Sequence, residues 1–185
     1  MGSGTAGVLM ILGSTLFGVG AAVGVPRVFR QPDREQKLRM LEERLLMWRV
    51  AQPFYAVGPL LASVGVGFLA ASRDANTGRT WLTLNCLLLL VGALCWSWSV
   101  YLRTIRYRDF ALGRLPGWPF AAYVVLTLGG LAMLGVGLLL GTTPDWLGWL
   151  AISADAFFIA AYVRWQDIPP FVFYLLMTVV GAVVL

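Results

Sequence analysis

The run WLTLNCLLLLVGALCWSWSVYL, Trp81 to Leu102, decides the fold class: its 22 residues carry no charged side chain. As a helix it would reach about 33 Å, enough to cross the hydrocarbon core of a bilayer. A helix that is apolar on every side has no face to offer water. The run therefore reads as a membrane span, and five further stretches read the same way. The expected spans are residues 5–25, 50–71, 81–102, 119–141, 146–163 and 168–185.

Composition supports this beyond the individual runs. The 185 residues are 59% hydrophobic and 12% charged, and the charges stand in short blocks between the spans. A soluble domain is about a quarter charged residues, spread over its surface, so a soluble fold is excluded. The expected fold is all-α: a polytopic integral membrane protein with six transmembrane helices in one bundle, residues 1–185 forming a single domain.

The net charge of +5 does not point to nucleic acid, because the basic residues flank apolar spans. Seven lie between the first two spans, two are Arg73 and Arg79, four run from Arg103 to Arg114, none falls in GTTPD (Gly141 to Asp145) and one is Arg164. Alternate loops thus hold twelve against two. Basic loops stay in the cytoplasm, so loops 26–49, 103–118 and 164–168 are expected there, with both termini on the other side. A prokaryotic-type inner membrane is the expected location. Nothing basic precedes the first span, so no secretory signal peptide is expected. Trp81, Trp146 and Trp149 mark one interface; Trp48, Trp98, Tyr101, Trp118 and Trp165 mark the other.

The segment QPDREQKLRMLEERLLMWRVAQP, Gln31 to Pro53, reads as an amphipathic cytoplasmic helix over about 32–49 that runs into the second span as one long helix. Asp33/Lys37 and Glu35/Arg39 are spaced for i,i+4 pairing. Leu38, Leu41, Leu45 and Trp48 make a stripe that could dock on a partner, on lipid or on the protein's own loops. Pro53 and Gly58-Pro59 predict a kink in the second span, with Pro59 freeing the carbonyl of Tyr55. Pro169 and Pro170 suit the start of the last span.

LGSTLFGVGAAVG in the first span and LGGLAMLGVGLLLG in the fourth are alike. An inverted repeat would produce this likeness, as would convergent selection for close packing, the preferred reading. The expected packing residues are Gly20, Gly24, Gly137, Gly141, Gly148 and Ala151.

Reactive residues are scarce. Histidine is absent, which removes histidine-based zinc sites, Ser-His dyads and haem ligation by histidine. Cys86 and Cys95 stand nine residues apart on one helix, about 13.5 Å, too far to bridge. No nucleophile elbow, phosphate-cradling loop or acid-rich metal motif occurs. No metal site and no cofactor is expected.

What remains is Asp155, the one acid inside AISADAFFIA, Ala151 to Ala160. A charged Asp at the bilayer centre costs about 2.5 to 3.5 kcal/mol on insertion scales. Small residues on its helical face, Gly148 and Ala151, predict that it points into the bundle, on a face that continues through Ile152, Phe158, Ile159 and Tyr162. No basic residue shares its depth, so Asp155 is expected to be neutral. Its expected partners are the freed carbonyl of Tyr55 and the hydroxyls of Ser14, Thr15, Thr127 and Thr178, with Tyr162 the only plausible acid–base companion.

Two readings follow: a neutral residue that fixes helix register, or a site that exchanges a proton or binds a polar substrate. The expected function is non-catalytic, either an accessory or packing subunit of a larger membrane assembly or a binder or carrier of a small apolar or weakly polar molecule. The alternatives are a proton-coupled small-solute transporter using Asp155 and a membrane-embedded enzyme on a lipid-like substrate. Membrane lipids, other membrane subunits and a bound lipid or other apolar molecule are the expected partners.

Overall fold

The structure is a computed structural model and describes residues 3–25, 27–75, 77–165 and 170–185. Nine helices and no strand occur among them: α1 (Ser3–Val23), α2 (Arg27–Arg30), α3 (Arg34–Glu43), α4 (Leu45–Ala71), α5 (Thr77–Ile105), α6 (Tyr107–Ala111), α7 (Trp118–Leu139), α8 (Asp145–Trp165) and α9 (Pro170–Val184). α1, α4, α5, α7 and α8 are long and apolar enough to cross a membrane. The sixth expected span falls on α9, whose 15 residues reach only about 22 Å, short of a hydrocarbon core. Of the twin prolines, Pro170 opens α9 and Pro169 lies outside the described residues.

The long helices pack in the order α9, α1, α4, α5, α7, α8, an arc whose two end helices are α9 and α8. Short helices α2, α3 and α6 cover one end, the capped end, where Val25, Val28, Leu41, Trp48 and Ala111 are buried together. The start of α1 and the end of α9 lie at the opposite, open end, with Gly4 beside Leu185.

The expected continuous helix from 32 into the second span is interrupted. α3 ends at Glu43, Arg44 leaves helical geometry at φ −126° and ψ 30°, and α4 starts at Leu45. The break lets α3 lie against α6, which buries Leu41 fully and Leu38 and Leu45 in part. A straight continuation would carry those leucines away from the cap. Of the three surfaces open to the stripe, the structure shows the protein's own short helices. The start also shifts: Asp33, not Pro32, sets it, accepting from the N–H groups of Glu35 (2.9 Å) and Gln36 (3.3 Å). Arg106 pairs with Asp109 and Arg108 with Glu42, whereas the expected Asp33/Lys37 and Glu35/Arg39 pairs do not form. Trp48 is fully buried and so leaves the interfacial set, whereas Trp98, Tyr101, Trp118, Trp146 and Trp149 are exposed.

Lipid is as apolar as leucine, so membrane helices associate through close contact at small residues. A Cβ on Gly58 of α4 would stand 2.6 Å from the Gly13 carbonyl oxygen and 2.8 Å from the Phe17 nitrogen of α1. Gly7 and Gly181 bring α1 onto α9 in the same way, Gly135 and Gly148 join α7 to α8, and Gly137 meets Leu82 of α5. Gly20 packs on Tyr55, and Ala151 is fully buried. Gly24, just past the end of α1, packs on α4 beside Gly20: a Cβ there would stand 3.3 Å from Ala51 Cβ and 3.4 Å from Tyr55 Cε2. Gly141 differs from expectation: it falls past the end of α7, and its N–H donates to the Leu138 carbonyl at 3.2 Å in a turn.

α4 runs unbroken through Pro53 and Pro59. The Tyr55 carbonyl that Pro59 leaves free accepts from the Trp96 indole of α5 at 2.8 Å, and the Ala56 carbonyl accepts from the Ser97 hydroxyl at 3.3 Å. The Pro59 carbonyl takes the Ser63 hydroxyl at 2.8 Å.

The packing makes a comparison of two glycines informative. Gly58→Val is expected to lose about 1 to 3 kcal/mol from overpacking. Gly18→Ala should not lose stability, because nothing lies within 4 Å of that position. Unfolding of the purified protein by titrated SDS measures both, and an equal response would refute the Gly13–Gly58 contact as the basis of the α1–α4 interface.

Candidate functional site

Because the arc ends at α8 and α9, a seam is left between them. A crevice of about 20 Å³ opens there, lined by Phe120, Tyr123, Val124, Thr127, Leu128 and Leu131 of α7, Phe158 of α8 and Phe173 of α9. Its walls expose only apolar surface. The hydroxyls of Tyr123 and Tyr174 meet at 3.0 Å and tie α7 to α9. Tyr174 also stacks on Phe17 of α1, with ring centroids 4.1 Å apart.

Asp155 lies on α8 one turn before Phe158, and the residues that line the crevice do not include it. The buried face of α8 runs through Leu147, Gly148, Ala151, Asp155, Phe158 and Ala161. Ile159, expected on that face, is 46% exposed. Gly148 and Ile152 pack on Gly135 of α7, and Phe158 enters the crevice, so Asp155 lies between those two contacts. It is 7% exposed, and its Oδ1 is buried with no hydrogen-bond partner.

The expected partners do not reach it. The Tyr55 carbonyl is taken by Trp96. The hydroxyls of Ser14 and Thr178 donate to their own helices, at Met10 (2.8 Å) and Tyr174 (2.9 Å), because an i−4 carbonyl is within reach. Thr15 is exposed on α1, a helix that packs on α4 and α9 rather than on α8. Tyr162 is two turns from Asp155, about 10.5 Å along the helix, and half-buried. Thr127 alone of the nominated hydroxyls lies on the crevice.

Three polar features escape sequence reasoning. Asn85 of α5 is fully buried, and neither its Oδ1 nor its Nδ2 has a hydrogen-bond partner. Tyr123 and Tyr174 form the buried hydroxyl pair. Arg103 is the third: counted by sequence as a loop cation, it is 8% exposed, inside α5. A signal was present, since Leu82, Leu89, Trp96 and Arg103 recur every seven residues and all are buried. The Arg103 guanidinium carbon stands 4.5 Å from the Trp96 ring centroid and 5.9 and 5.8 Å from those of Phe29 and Phe110. Its Nε donates to Ser99 at 3.3 Å, and its Nη2 is buried without a hydrogen-bond partner. Ring faces contribute up to about 2 kcal/mol to a desolvated cation, less than the several kcal/mol that burying an ion costs.

Fold and apolar surface define an all-helical membrane protein. No protein family, curated protein or solved structure matches the chain.

The unpartnered oxygen of Asp155 has a measurable consequence. A buried polar group without a partner costs about 1 to 3 kcal/mol, so Asp155→Leu should stabilise the protein while Asp155→Asn does not. Thermal unfolding in neutral detergent tests this, and a marked loss of stability in Asp155→Leu would show that Asp155 is a structural bonding residue.

Proposed function

We propose that the protein is a membrane-embedded binder or carrier of a small apolar or weakly polar molecule, held in the crevice between α7, α8 and α9. Two observations support this reading: an apolar crevice between α7, α8 and α9, and, one turn along α8 from its Phe158 wall, a buried acid whose Oδ1 has no hydrogen-bond partner. Aromatic and aliphatic walls suit an apolar body, and Asp155, one turn from the Phe158 wall, would take one polar group. Intramembrane carboxylates are costly to keep, and such residues mark substrate paths. Mass spectrometry of an organic extract from protein purified in mild detergent should find such a molecule near one per chain. Val124→Trp, which fills the crevice, should remove it. An empty wild-type extract, or equal retention by the variant, would end this reading.

In the same reading the protein has six spans with both termini outside the cytoplasm, α9 completing the last crossing. The twelve-to-two division of basic residues supports this. Single cysteines in place of Thr142 and Arg114, in a chain with Cys86 and Cys95 replaced by alanine, report the orientation. An impermeant thiol reagent added to intact cells should label the first and not the second; the reverse pattern would invert the topology.

A further inference from the structure

The capped end holds a buried cation, Arg103, whose Nη2 has no hydrogen-bond partner. Arg103 projects into an aromatic enclosure formed by Trp96, Phe29 and Phe110, on which Trp48 also stacks. The Trp48 indole donates to the Arg103 carbonyl at 3.3 Å, which fixes the end of α5 under the cap. A second cation shares one of these rings: Lys37 Nζ of α3 lies 4.2 Å from the centroid of Phe110. Among the described residues no carboxylate pairs with either. Asp109 is held by Arg106 at 2.8 Å and Glu42 by Arg108 at 3.2 Å, both at the exposed edge of the cap.

We propose that Arg103 and Lys37 form a binding site for a phosphate group, carried by an anionic phospholipid headgroup or by a phosphorylated solute. Two positive charges without an acid make an enclosure that is electrostatically incomplete. A guanidinium N–H that is buried and has no acceptor matches a phosphate oxygen, and the ammonium over the shared Phe110 ring supplies a second charge. Phe29 borders the guanidinium and is itself 45% exposed, so it marks the side from which an anion enters. Burial, and secondarily the charge of Arg103, lower the pKa of Lys37, a penalty on its charged form that a bound anion would relieve. The site is separate from the crevice and does not rest on the crevice reading.

The test uses the full chain in neutral detergent, with thermal unfolding followed by tryptophan fluorescence. One arm titrates inorganic phosphate at constant ionic strength; the other adds short-chain phosphatidylglycerol, with phosphatidylcholine of equal length as control. A saturable rise in Tm is expected with at least one probe, with apparent affinity falling about tenfold or more in Arg103→Met and Lys37→Gln. A response to phosphatidylglycerol alone assigns a lipid headgroup, and a response to phosphate assigns a free phosphorylated solute. If Arg103→Met fails to fold, Lys37→Gln, at the half-buried rim, decides. No saturable shift in the wild type, or an undiminished shift in the folded variants, overturns the proposal.

Discussion

The hydrogen bond from the Trp96 indole to the Tyr55 carbonyl connects the main parts of this molecule. Within a bilayer every freed backbone group must find its partner inside the protein. Pro59 frees one, and α5 answers with a donor that also brings a large ring into the bundle. That ring touches Phe17 of α1, Tyr55 of α4 and Tyr123 of α7, and it is the face over which Arg103 rests. One backbone requirement therefore holds three helices in register and provides the floor of the capped-end enclosure.

Helix packing then determines where the interior is left incomplete. Glycine contacts bring α1 onto both α4 and α9, and α7 onto both α5 and α8, so the chain closes into an arc whose ends meet imperfectly. The crevice and Asp155 lie along that seam, while Arg103 lies at the capped end. Each of these two ionisable groups has a buried atom without a hydrogen-bond partner. A bundle selected for packing alone would gain from replacing them with apolar residues. Their presence is the shared physical reason for reading both places as binding sites.

Much of this was legible from composition. Asp155 stands out in a sequence because a single acid in an apolar run is costly to keep in a bilayer, and its burial against α7 follows from Gly148 and Ala151 on its face. Its partners were not legible. Ser14, Thr15 and Thr178 share its expected depth, but α1 packs on α4 and α9 rather than on α8, and the hydroxyls of Ser14 and Thr178 bond to carbonyls of their own helices. Arg103 was misread for a related reason: an arginine after an apolar run looks like an interfacial anchor, and only the cap of α2, α3 and α6 turns that position into an interior one. The break at Arg44 left no mark in the sequence because nothing local forbids a helix there.

By itself the sequence determined the helical membrane class, the positions of the long apolar helices and the isolation of Asp155. These depend on uninterrupted apolar length, which is a local property. Tertiary structure alone decided which glycines touch, which indole satisfies Tyr55, where the arc leaves its crevice and that Arg103 is buried. Helices that are apolar all round carry little pattern to mark their inner face, so lateral neighbours emerge only when the backbones pack.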